Sequence, residues 1–127
     1  MALAGKLARD VKESRSDDVI VAASIPPVFG SYKPSEFETQ AGIAMLTVFK
    51  QYLLPHTDVV LAETISCIKE ILAIQSVFDD SGQPLWLSLT LEDENYSSDP
   101  RLRSGESLVD AIESMNIKNI KALLFNC

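Results

Sequence analysis

Four short apolar runs, at residues 19–23, 58–62, 84–90 and 120–125, constrain this chain more than any other feature. Each is continuous rather than alternating, as in Val19-Ile20-Val21-Ala22-Ala23 and Val59-Val60-Leu61-Ala62. Runs of this kind suit strands buried on both faces, the usual condition of a parallel sheet. The segments between them carry apolar residues at helical spacing. The order is therefore α-β-α-β-α-β-α-β, and strands joined through helices run parallel with right-handed crossovers. The expected class is α/β, built from parallel βα units.

The connecting segments add detail. Residues 2–14 read as a helix with Leu3, Leu7 and Val11 on one face. Residues 24–34 (SIPPVFGSYKP) form a Pro- and Gly-bearing loop, long enough to suggest function. Ser35 and Glu38 have the spacing of a capping box. The helix they open carries Phe37, Ala41, Ala44, Met45, Val48 and Tyr52, and Pro55 stops it. Ile68, Ile71, Leu72 and Phe78 mark a third helix. After the polar stretch 92–106, Leu108, Ala111, Ile112 and Met115 mark a fourth.

At 127 residues and 46% hydrophobic content, one domain with a real core is expected. Eleven basic against 18 acidic side chains leave a net charge of −7, the wrong sign for binding nucleic acid or an anionic membrane. No apolar run reaches the ~20 residues of a membrane helix. Lys6, Arg9 and Asp10 interrupt any signal-peptide core. Cys67 and Cys127 are too far apart for a disulfide framework or a metal knuckle. A cytoplasmic location is expected.

Ligands of parallel α/β sheets sit at the carboxyl ends of the strands. Those ends are Ser24-Ile25-Pro26-Pro27, Glu63-Thr64, Ser88-Leu89-Thr90 and Asn126-Cys127. Glu63 is the strongest single candidate, because a carboxylate straight after a buried strand needs a partner. It also reads as a cap for the following helix. Cys127 reads as a small hydrophobe, or as a ligand or reactive thiol. Cys67 fits packing within a helix, His56 a solvated or helix-capping role, and Trp86 the core. The pairs Asp17-Asp18, Asp79-Asp80 and Asp93-Glu94 fit solvated loops. A phosphoacceptor receiver domain is disfavoured, since the acidic pair precedes its strand, the third strand ends in Ser-Leu-Thr, and no fifth strand follows. No glycine-rich phosphate loop follows any strand.

Taken in order, 23–34 (ASIPPVFGSYKP), 58–66 (DVVLAETIS), 84–93 (PLWLSLTLED), 102–107 (LRSGES) and 122–127 (ALLFNC) resemble the homocysteine S-methyltransferase family. The resemblance spans the chain but only the middle of the family's domain. It implies a (β/α)₈ TIM barrel of which residues 1–127 supply about strands three to six, truncated at both ends. Pro26-Pro27-Val28 stands where many members have Gly-Pro-Tyr, a departure that leaves substrate preference open.

The resemblance further implies zinc-dependent transfer of a methyl group to homocysteine, giving methionine, from a donor such as S-methylmethionine. It makes Cys127 one of three thiolates that hold Zn²⁺, the other cysteines lying outside this chain. It makes Glu63 the group that takes the amino end of homocysteine. Ser24 and Thr90, at the carboxyl ends of their own strands, are further substrate-binding candidates beside it. A zinc ion with three protein ligands keeps a substrate thiol ionised near neutral pH. With one of those ligands, the chain alone is expected to be inactive. The rival reading is a non-catalytic half-barrel or self-associating α/β module, joined through its open sheet edges.

Overall fold

A computed structural model describes residues 1–94 and 98–127. In chain order the elements are α1 (Ala2–Glu13), β1 (Ala22–Ile25), a 3₁₀ turn (Pro34–Glu36), α2 (Thr39–Leu53), a 3₁₀ turn (Leu54–His56) and β2 (Val59–Ile65). Then follow α3 (Ile68–Phe78), β3 (Leu85–Leu89), α4 (Leu108–Ser114) and β4 (Ile120–Phe125). The strands form one parallel sheet in the order β1-β2-β3-β4. Because the order never reverses, right-handed crossovers carry each connecting helix to the same face. The sheet is singly wound, an arc of (β/α) units left open in this chain.

The two faces differ accordingly. On the helical face, Ile25, Ala62 and Leu87 stand in register, all without measurable exposure. With Phe37, Leu46, Ile71, Ile74 and Phe78 they form the core. On the other face a row of Ser24, Leu61, Trp86 and Ala122 runs across all four strands. Trp86 is half-buried there, opposite the helical core in which a mid-strand tryptophan was expected. At the β4 edge the cover runs out: Leu123, in register with Leu87, is 37% exposed and Phe125 is 52% exposed.

Three sequence expectations shift. The first strand begins at Ala22 rather than at 19, because Ile20 is exposed and pairing starts only where Asp58 engages Val21. The capping box at Ser35 does not form. Pro34 turns residues 34–36 into a 3₁₀ turn, and Glu38 caps α2 instead, accepting from the Ala41 amide at 2.8 Å. Phe37 fixes that entry: its ring lies 2.7 Å from where a side chain on Gly42 would begin, so Gly42 leaves the space the ring fills. Cys67 is the N-cap of α3 rather than a residue inside it, and it is buried as expected.

The first helix is anchored by the face that looked polar. Leu3, Leu7 and Val11 point outward, each more than half exposed. Gly5 rests instead against the His56 ring, 3.0 Å from where a Cβ would stand. Arg9 donates to the His56 carbonyl at 3.0 Å and to Asp58 at 2.9 Å, and Lys12 donates to the other Asp58 oxygen at 2.9 Å. Asp58 also accepts from the Val21 amide at 2.7 Å, so one carboxylate ties α1, the lead into β1 and the start of β2.

Lys12, the Val21 amide and Arg9 hold the Asp58 carboxyl well below the usual carboxylate range. A lowered folded pKa stabilises the fold above the unfolded value near ~4 and loses that contribution as pH falls toward the folded value. Asp58→Ala is therefore expected to cost about 1.5–3 kcal/mol at pH 7, the range for charge-assisted hydrogen bonds. Urea denaturation at pH 7 and below pH 4 checks this: the gap between variant and wild type must narrow in acid.

Candidate functional site

Beyond Ala62 the second strand stops matching its neighbour residue for residue. Ala62 pairs with Leu87 and Ile65 with Leu89, so β2 fits one extra residue against β3. Such a bulge bends a strand and re-aims its side chains. Here the insertion falls on Glu63-Thr64, which lie within β2 rather than after it. Thr64 adopts φ 62°, a left-handed backbone that is an outlier for a β-branched residue. Conformations of this kind cost of order 1–3 kcal/mol and persist only where neighbours enforce them.

The neighbour that enforces this one is Asn126. Its Oδ1 accepts from the Thr64 amide at 3.2 Å and from the Ser88 hydroxyl at 2.8 Å. Its Nδ2 donates to the Thr64 hydroxyl at 2.9 Å and to Cys127 Sγ at 3.2 Å. Both donors and both acceptor directions of the amide are engaged. One side chain on the C-terminal flank of β4 thus clamps β2 and β3 and meets the thiol.

The candidate residues distribute around this clamp. Glu63, half-buried, accepts a short hydrogen bond from the Ser24 hydroxyl, which joins the ends of β1 and β2. Cys127 is exposed and continues from Asn126 in a left-handed conformation, φ 55°. Thr90 departs from expectation. It has no exposed surface, and its hydroxyl reaches the Asn126 carbonyl at 3.5 Å, so it supports the rim from beneath.

A second group approaches the thiol from two loops. Tyr32, in the loop after β1, has its phenol pKa pushed up, chiefly by the neighbouring Cys127. Its ring lies 5.2 Å from the Arg103 guanidinium. Asp93 grips Arg103 through two bonds of 2.6 and 3.0 Å, and that contact lowers the Asp93 pKa. Tyr32 is itself left-handed at φ 64°. Tyr32, Arg103 and Asn126 stand inside sequence motifs that gave none of them an individual role. The usable signal for Asn126 was a four-way hydrogen-bonding side chain at the end of an otherwise apolar strand.

The turn behind Glu63 is rigid. Buried Glu70 accepts from the Ser66 amide at 2.7 Å, and burial raises its pKa. Glu106 reaches across from the next loop to cap α3, accepting from the Ile68 amide at 2.9 Å and from Ser104 at 2.7 Å.

A zinc site needs at least three protein ligands. Among the described residues, no three His, Cys, Asp or Glu side chains come together as one metal group. Cys127 is exposed, and Cys67 is buried at the start of α3. The donor set of this chain does not by itself fit the ion.

The two thiols should differ sharply in reactivity. Burial pushes the Cys67 thiol up to about 11, leaving about a thousandth of it ionised at pH 8. Iodoacetamide on the native chain at pH 8 is expected to modify one equivalent, at Cys127, and a second only after unfolding. Peptide mapping checks this; equal labelling of both sites under native conditions refutes it.

The chain matches the family model described as homocysteine S-methyltransferase across residues 1–127. No curated protein and no solved structure matches it.

Proposed function

We propose, from the premise that this chain belongs to the homocysteine S-methyltransferase family, that its strand-end rim binds homocysteine as the acceptor of a methyl group. The observation that carries the reading is the bulge in β2. It sets Glu63 beside Ser24 on the open face, while Asn126 ties the same bulge to Cys127. An α-amino acid with a thiol at its far end presents an ammonium group to a carboxylate and a sulfur to the cysteine side of the rim. A charge-assisted contact to that ammonium is worth about 1.5–3 kcal/mol. The substrate thiol releases its proton to solvent, and the thiolate attacks the methyl carbon of a cationic donor such as S-methylmethionine, forming the thioether of methionine as the donor sulfur leaves neutral. Alignment of sulfur and methyl carbon is then the main catalytic task.

In this reading residues 1–127 are the central part of a homocysteine-binding barrel domain, truncated at both ends. Cys127 supplies one zinc ligand, and the remaining ligands come from outside the chain. The isolated chain is inactive. Its four-stranded open sheet supports this, since a barrel needs further strands to close. Dialysed against zinc, the isolated chain is expected to retain far less than one ion per molecule. Tight stoichiometric binding that survives Cys127→Ser overturns the ligand assignment.

In a longer polypeptide that completes the barrel, Glu63→Ala is expected to weaken homocysteine binding by roughly ten- to over a hundredfold. Cys127→Ala should remove bound zinc and methyl transfer together. Steady-state kinetics with metal analysis tests both. Unchanged homocysteine affinity in Glu63→Ala, or full zinc and turnover in Cys127→Ala, defeats the corresponding role.

A second reading rests on a separate observation. The sheet has two open edges, and Leu123, Leu124 and Phe125 are exposed along β4. Free parallel edges with apolar side chains invite pairing, and two copies would supply eight strands. Sedimentation equilibrium distinguishes this: a concentration-dependent dimer lost in Phe125→Lys supports it, and a monomer at all concentrations ends it.

A further inference from the structure

We infer that Asn126 is a positioning residue that sets the carboxylate of Glu63 and the thiol of Cys127 in fixed relation. Only the identity of what those two groups hold rests on the methyl-transfer reading; the positioning itself rests on the clamp. Thr64 follows Glu63 directly, so its left-handed backbone sets where the Glu63 side chain leaves the sheet. Nothing in a β-branched residue favours that conformation. Asn126 holds it twice, at the Thr64 amide and at the Thr64 hydroxyl. The remaining amide hydrogen goes to Cys127 Sγ, and the remaining acceptor direction takes the Ser88 hydroxyl of β3. Glu63 lies on β2 and Cys127 just past the end of β4, with β3 between those two strands. A single rigid amide spans that gap, and any movement of it displaces both groups together.

The chemistry of the amide separates its two tasks. Asn126→Asp keeps an acceptor for the Thr64 amide and for Ser88, and the Thr64 hydroxyl can turn to donate to it. It loses the donor to sulfur. Asn126→Ala loses everything. Thr64→Gly removes the need for enforcement, because glycine adopts positive φ without steric cost. A role confined to general stability predicts none of these distinctions.

Nuclear magnetic resonance of the 127-residue chain reads both tasks without substrate. In Asn126→Ala, exchange of the Thr64 amide should rise at least about tenfold while core amides such as Ala62 and Leu87 keep their protection. The Cys127 χ1 coupling should move from one rotamer to an average. Asn126→Asp should preserve the Thr64 amide and still release the Cys127 rotamer. In a Thr64→Gly background, Asn126→Ala should cost much less stability than it does alone. Unchanged Thr64 exchange and an unchanged Cys127 rotamer in Asn126→Ala overturn the proposal, as does an absence of coupling with Thr64→Gly. Should Asn126→Ala fail to fold, Asn126→Asp decides, since a Cys127 rotamer that stays fixed in it refutes the role. Homocysteine added to the completed barrel separates the two readings. No shift of Glu63 there, with the Asn126 effects intact, removes the methyl-transfer reading and leaves the clamp.

Discussion

The strand order of this sheet never reverses, and its remaining features depend on that. A parallel strand pair with a right-handed crossover puts its helix on a defined face. Repeating the step in one direction stacks every helix on the same side. One face then becomes a helical core of Ile25, Ala62, Leu87 and their neighbours, while the other keeps Ser24, Leu61, Trp86 and Ala122 without a helical layer. In a doubly wound sheet the order reverses and creates a crevice between two strands. Among the described residues the order does not reverse, so the polar strand-end side chains line the rim of the uncovered face. Glu63, Asn126 and Cys127 are found there.

A rim of this kind has a mechanical weakness. Strand ends fray, and side chains on separate strands drift relative to one another. Two strained residues counter this. Thr64 and Tyr32 both hold left-handed backbones, and each meets a different element: Thr64 the Asn126 amide, and Tyr32 the Arg103 guanidinium over its ring. Strain that persists at a strand end implies contacts strong enough to enforce it. The same contacts give the rim its fixed geometry. Behind them, Glu70 and Glu106 satisfy the amides at the start of α3 and keep the turn after β2 from loosening.

Much of this was legible in the sequence, for identifiable reasons. Continuous apolar runs marked all four strands, because strands buried within a parallel sheet have no polar face to interrupt them. Their ends were less legible. Val19 and Ile20 look like strand residues, yet the register is set by a polar contact, Asp58 to the Val21 amide, which no hydropathy pattern encodes. Two residues competed to cap α2, and Glu38 prevailed over Ser35 because Phe37 must fold back onto Gly42. Leu3, Leu7 and Val11 have flawless helical spacing, but periodicity cannot say which face finds a partner. The docking of α1 is decided by Gly5, Arg9 and Lys12.

At the rim, the sequence marked where the strands end but not how those ends are arranged. A carboxylate after an apolar run singles out Glu63 from local chemistry alone. That it lies on a bulge is invisible, because a bulge is a mismatch between two strands and belongs to neither sequence segment. Thr90 shows the converse: it has the right position in the chain, yet continued pairing of its amide with Ile65 draws it beneath the rim. Asn126 was overlooked because its importance lies in four hydrogen bonds that reach β2, β3 and Cys127. That property appears only once the sheet has formed. The residues that react are often readable from type and position; the residue that holds them in register is defined by contacts between distant segments.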